Sequence, residues 1–151
     1  VLGVYLALLY VLGMISQPVM GVMSDKLGRK VILVPSLAIM GLLYLAIGFA
    51  QGGIQLGFVI GTLGLFFYAI LNVLHTAVLD VTAESVQAST FGVIVLVSFP
   101  LTFVSPILAG YLATEFGIES TFLYSAVASF LATAILLPIH FRRDATSSME
   151  P

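Results

Sequence analysis

Charged residues interrupt this chain at only a few points, and the sequence between them is apolar over lengths that suit a bilayer. No Asp, Glu, Lys or Arg occurs from residue 1 to 24, from 31 to 79, from 85 to 114 or from 120 to 141. A helix needs about 20 apolar residues to cross a hydrocarbon core about 30 Å thick. The 31–79 stretch holds two such helices and a turn, and Gln51-Gly52-Gly53 supplies the turn because paired glycines punctuate a helix. The pattern therefore predicts five spans, over about 1–23, 30–50, 54–78, 84–112 and 120–140. Membrane β-barrel strands alternate in segments of about 10 residues, and these runs are too long and too uniformly apolar for that. The predicted class is all-α: a polytopic membrane helical bundle over residues 1–141 with a polar tail over 142–151. Ser120 or Thr121, after Glu119, is the expected cap of the last helix, and Thr82 that of the fourth.

Composition agrees. Hydrophobic residues make up 60% of the chain and charged residues 8%, against about 25% charged in a soluble domain. So few charges cannot cover a water-facing surface, and lipid is the expected solvent. A net charge of −2 gives no basic footprint for nucleic acid. There is no cysteine, which excludes disulfides and thiolate metal sites. No metal or cofactor is predicted. The motifs of intramembrane enzymes (Gly-x-Ser-x-Gly, His-Glu-x-x-His, paired aspartates within spans) are missing, so the chain is not expected to be an enzyme. Val1 already lies inside an apolar run, which suggests a piece of a longer protein.

The basic residues set an orientation. Lys26, Arg29, Lys30, Arg142 and Arg143 are all five of them. With five spans, the 24–29 loop, the 79–84 loop and the C-terminal tail share one side, and every basic residue falls there. That side is expected to be cytoplasmic, with the C-terminus inside, in a plasma (inner) membrane.

Between the first two spans runs Gly21-Val22-Met23-Ser24-Asp25-Lys26-Leu27-Gly28-Arg29-Lys30. It resembles the signature loop of the major facilitator superfamily: a glycine, an aspartate four residues on, then Gly-Arg-Lys. A generic basic turn accounts for Arg29 and Lys30 but not for Gly21, Asp25 and Gly28 at these spacings. In that family the loop joins the second and third helices of a six-helix half. One helix precedes it here and four follow, so the resemblance implies helices two to six of one half, with the C-terminal half fitting better. A missing N-terminal half of the same protein would then be a partner, beside the lipid bilayer and a small-molecule substrate. The resemblance also gives the loop aspartate a role at the end of a helix of the opposite half. Ser105-Pro106-Ile107-Leu108-Ala109-Gly110 is similar to the family's antiporter motif Gly-Pro-x-x-Gly-Gly, but Ser105 and Ala109 depart from it. A kink at Pro106 is the simpler reading.

Arg29 is expected to pair with an acidic residue at a neighbouring helix end, and Asp80 is the best placed. That pair would be a conformational latch. Tyr68, Asn72, His75 and Thr76 share a face of the third span, and Ser98, Thr102 and Ser105 one of the fourth. In the family the corresponding helices line the substrate path, so Tyr68, Asn72, His75, Ser98 and Thr102 are candidate path residues. Interhelical hydrogen bonding is the plainer alternative, favoured for the serines and threonines. Coupling to a proton or sodium ion is compatible with the resemblance. No carboxylate lies deep in a span, so a proton-coupling carboxylate is expected outside this chain, and His75 is the only deep titratable group. Gly53, Gly57, Gly61 and Gly64 read as a close-packing face, and Ser125, Ser129 and Thr133 as another. The function expected is secondary transport of a small, neutral or amphipathic solute by alternating access, as a symporter or antiporter. The alternative is a non-transporting membrane scaffold or subunit.

Overall fold

A computed structural model describes residues 2–50 and 53–139. It contains α1 (Leu2–Leu27), α2 (Arg29–Phe49), α3 (Ile54–Asp80), a short 3₁₀ turn (Glu84–Val86), α4 (Gln87–Phe116) and α5 (Ile118–Leu136). The five α-helices are each long and apolar enough to cross a membrane, and no strand occurs among the described residues. The class is all-α. Gln51, Gly52, Arg142, Arg143 and the tail lie outside the described residues.

The helix ends differ from the sequence expectation for identifiable reasons. The 24–29 loop shrinks to one residue. Ser24, Asp25, Lys26 and Leu27 contain no helix breaker, so α1 runs through them, and Gly28 closes it by donating its N–H to Ser24 O at 3.0 Å. Gly28 has φ 102° and ψ 142°, a sparsely populated region that costs a residue with a Cβ about 1–3 kcal/mol. Gly117, with φ 87°, is the one-residue joint between α4 and α5. Pro138, which has no N–H for a helical bond, follows the end of α5.

Neither expected cap forms. Both helices start without a side-chain cap. Thr82 instead donates its hydroxyl to Val78 O at 2.7 Å, serving one of the last carbonyls of α3, which have no helical donor. Ser120 is already inside α5, because the one-residue joint at Gly117 leaves no room for an extended capping residue. Its hydroxyl lies 2.9 Å from Leu112 O and 2.6 Å from Gly117 O, and Thr121 Oγ1 donates to Ala109 O at 3.1 Å.

Packing follows the small residues. α1 lies along α3, and α2 packs on both α3 and α5. The glycine face of α3 meets α1: a Cβ added at Gly61 would stand 3.0 Å from Leu12 and 3.2 Å from Leu8. One at Gly64 would stand 2.5 Å from Leu9 O. Tyr5 at the start of α1 donates its hydroxyl to Gly53 O at 3.0 Å. The core joins Leu33 and Met40 of α2 to Leu63, Ile70, Val73 and Ala77 of α3. On α5, Ser125, Ser129 and Thr133 each bond the carbonyl one turn back, so their polarity is satisfied within the helix. α4 has no buried residue; it touches α5 and only slightly α3.

Candidate functional site

The charged ends of three helices converge. α1 delivers Ser24 and Asp25 in its last turns, the Gly28 joint reverses the chain, and α2 opens with Arg29 and Lys30. α3 ends on Asp80. Arg29 Nε donates to Asp80 Oδ2 at 2.8 Å, and Nη1 forms an ion pair with Asp25 Oδ1. Nη1 also donates to Ser24 Oγ at 2.5 Å, and that hydroxyl donates onward to Gly21 O at 2.9 Å. The Arg29 side chain is 16% exposed, while those of Asp25 and Asp80 are 60% and 50% exposed. One nearly covered guanidinium is thus shared between two half-wet carboxylates from different helices. Its planar fork, with Nε and Nη1 aimed apart, serves both at once, which a lysine ammonium does less well. Exposed pairs of this kind are worth about 1 kcal/mol or less each, because water competes for the carboxylates.

Lys30 extends the cluster to a fourth helix. Its Nζ donates to Leu137 O just past the end of α5, where a cation also meets the negative end of the helix dipole. The first turn of α2 therefore grips the C-terminal ends of α1, α3 and α5. Of the signature glycines, Gly28 is needed for its positive φ. A Cβ at Gly21 would meet nothing within 4 Å, so no contact within the described chain calls for a glycine there. Asp25 is helical rather than part of a loop. It lies in the last turn of α1.

The candidate path residues are not gathered in one place. Tyr68 packs toward α1, its ring 5.5 Å from that of Tyr10. A Cβ at Gly13 would stand 2.5 Å from Tyr68 Cδ2. His75 instead reaches α4, edge-on to Phe91 with ring centroids 5.7 Å apart. Asn72, between them on α3, is exposed. Ser98 and Thr102 line an open groove on α4 with Leu101, Ser105 and Pro106, to which α3 contributes nothing. Thr102 Oγ1 donates to Ser98 O at 2.9 Å and Thr76 Oγ1 to Asn72 O at 2.8 Å, so these hydroxyls are satisfied within their helices.

Sequence reasoning missed Ser24, Tyr10 and Gly13. The signal for Ser24 was its place beside Asp25 at the end of an apolar run, where a buried hydroxyl needs a partner. Tyr10 and Gly13 gave none, since periodicity does not say which helix covers which. No group of three or more His, Asp or Glu residues suited to a metal occurs among the described residues.

Five apolar helices, four of them joined at one end by an ionic cluster, define a polytopic helical membrane protein. The sequence profile of the Major Facilitator Superfamily matches residues 1–151, the whole chain. The chain belongs to that superfamily, a family of membrane transporters. Neither a curated protein nor a solved structure matches it.

Proposed function

We propose that the chain is part of a secondary active transporter that moves a small solute by alternating access, with the Arg29 end of the bundle cytoplasmic. The observation that carries this reading is Arg29 itself. It ties α1 and α3 to the start of α2 through two carboxylates that remain half exposed. A fully buried pair would hold the helices permanently, since stripping one partner leaves an uncompensated charge. A half-wet pair of about 1 kcal/mol can open and close as the helix ends part and meet, yet it still shifts a two-state equilibrium about fivefold. The Arg29–Asp80 pair is the latch in this reading. Asp25 adds to it through its own ion pair with Arg29. Coupling to a proton or sodium gradient belongs to the same reading, with the coupling group outside this chain. The polar but uncharged faces of α3 and α4 favour a neutral or amphipathic solute.

The test is uptake into proteoliposomes that hold the native protein, using a panel of neutral and amphipathic solutes, with and without an imposed proton or sodium gradient. Saturable uptake that a gradient drives is the expected result. Flux that stays at the level of empty liposomes for the whole panel would favour the scaffold reading.

A further inference from the structure

The helix α4 is attached differently at its two ends. At the end away from Arg29, the single-residue joint at Gly117 is reinforced by hydroxyls from the first turn of α5. Ser120 Oγ lies between Gly117 O at 2.6 Å and Leu112 O at 2.9 Å, its one proton shared by the joint and α4, and Thr121 Oγ1 donates to Ala109 O at 3.1 Å. Two successive residues of α5 thus grip carbonyls about one turn apart on α4. At the Arg29 end the ties are looser. Gln87 Nε2 reaches Leu79 O and Thr82 O at 3.3 and 3.4 Å, and His75 meets Phe91 only edge to face.

Between these ends lie Pro100 and Pro106. Neither has an N–H to give the carbonyl four residues back, so Leu96 and Thr102 lose their helical donors. Thr102 also bonds back to Ser98 O, a contact that often bends helices. No residue of this stretch is buried, so packing within the chain does not hold it straight. Bending here breaks no helical hydrogen bond at the two proline sites.

We infer that residues 109–121 form a fixed pivot and that α4 bends across Pro100–Pro106. The part of α4 nearer Arg29 then swings against α3 during the cycle, while the distal part stays locked to α5. This inference rests on the alternating-access reading.

Double electron–electron resonance on the full native protein in nanodiscs tests it. Cysteines elsewhere in the protein are replaced, since this chain has none. One labelled pair is Tyr111→Cys with Leu123→Cys, across the pivot. The other is Leu71→Cys with Val93→Cys, across α3 and α4. All four positions are exposed. The expected result is one narrow distance for the pivot pair and a spread or second population for the other, displaced by on the order of 5 Å, about one helical turn. Replacing both hydroxyls (Ser120→Ala with Thr121→Val) should broaden the pivot distance, and Ser120→Thr should leave it narrow. A pivot pair as broad as the α3–α4 pair in the unmodified background overturns the pivot while leaving alternating access standing. A narrow pivot distance in the double-hydroxyl variant overturns the role of the two hydroxyls. If both pairs stay narrow in every condition while gradient-driven uptake is present, the swing of α4 is excluded. If uptake is absent as well, alternating access falls with it.

Discussion

Gly64 and Gly21 are both helical glycines, and their surroundings treat them in opposite ways. A Cβ at Gly64 would lie 2.5 Å from Leu9 O and 2.9 Å from Leu9 Cα. Those are backbone atoms, so no side chain can turn aside, and α1 and α3 have to separate. Gly64→Ala is expected to cost about 1–3 kcal/mol, the range for overpacking a tight contact. Gly21 faces open space, so Gly21→Ala meets no clash and gains up to about 1 kcal/mol of helix propensity. Thermal unfolding of the purified protein in detergent separates the two: a lowered midpoint for Gly64→Ala, an unchanged or raised one for Gly21→Ala. A transport defect in Gly21→Ala at undiminished stability would mean that this glycine serves a contact made outside the described residues. Equal destabilisation by both would contradict the packing described.

At the scale of elements, the first turn of α2 fastens the ends of its neighbours with two adjacent cations. Lys30→Met removes the donor to Leu137 O and the cation at the end of α5. A cation there is worth about 0.3–1 kcal/mol, so amide hydrogen exchange in the last turn of α5 should rise by about two- to fivefold. Exchange in α1 should not change, because Arg29 remains; a rise spread over all five helices would instead point to loss of the whole bundle. Much of this level was legible in the sequence. Five helices follow from apolar runs, and the Arg29–Asp80 contact from the scarcity of charge, since few ionic partners exist where helix ends meet. Helix ends were less legible. Ser24, Asp25 and Lys26 read as a loop because they are polar, yet a helix accepts them, and the breaks after α1 and α4 are single glycines of positive φ. Thr82 and Ser120 read as caps because a hydroxyl can accept or donate. Only the three-dimensional position of the free carbonyls decides which. The shared face of Tyr68, Asn72 and His75 was readable as a face. That α1 covers one end of it and α4 touches the other was not, since helical period is blind to the neighbour.

For the whole molecule, the proposed latch predicts a specific pattern of loss and rescue. Arg29 sits between two carboxylates, one on α1 and one on α3. Arg29→Asp puts a third carboxylate where the guanidinium bridged two, and the helix ends repel. Asp80→Arg leaves two guanidinium groups to share Asp25. Each single reversal should bias the protein away from the latched state by at least the strength of the pair, about 1 kcal/mol, which is about fivefold in population. The double reversal returns one cation and two anions to the same space. The cation now stands at the end of α3, so the contact with Asp80 is rebuilt in reverse and the one with Asp25 is made from a new direction. Measured as initial rates of gradient-driven uptake, both single variants should fall well below the native rate, and the pair should recover most of it. That recovery is a coupling energy in a double-mutant cycle, and residues in direct contact give about 0.5–3 kcal/mol. Additive losses with no recovery would mean that the two side chains act separately, and the latch would have to be abandoned. Salt separates attraction from shape. Raising ionic strength to about 1 M shortens the screening length to about 3 Å, and two half-exposed carboxylates are open to it. The native protein should then move toward the behaviour of the single reversals, while a variant with both charges removed (Arg29→Met with Asp80→Asn) should respond less. An equal response in both would locate the salt effect away from this cluster.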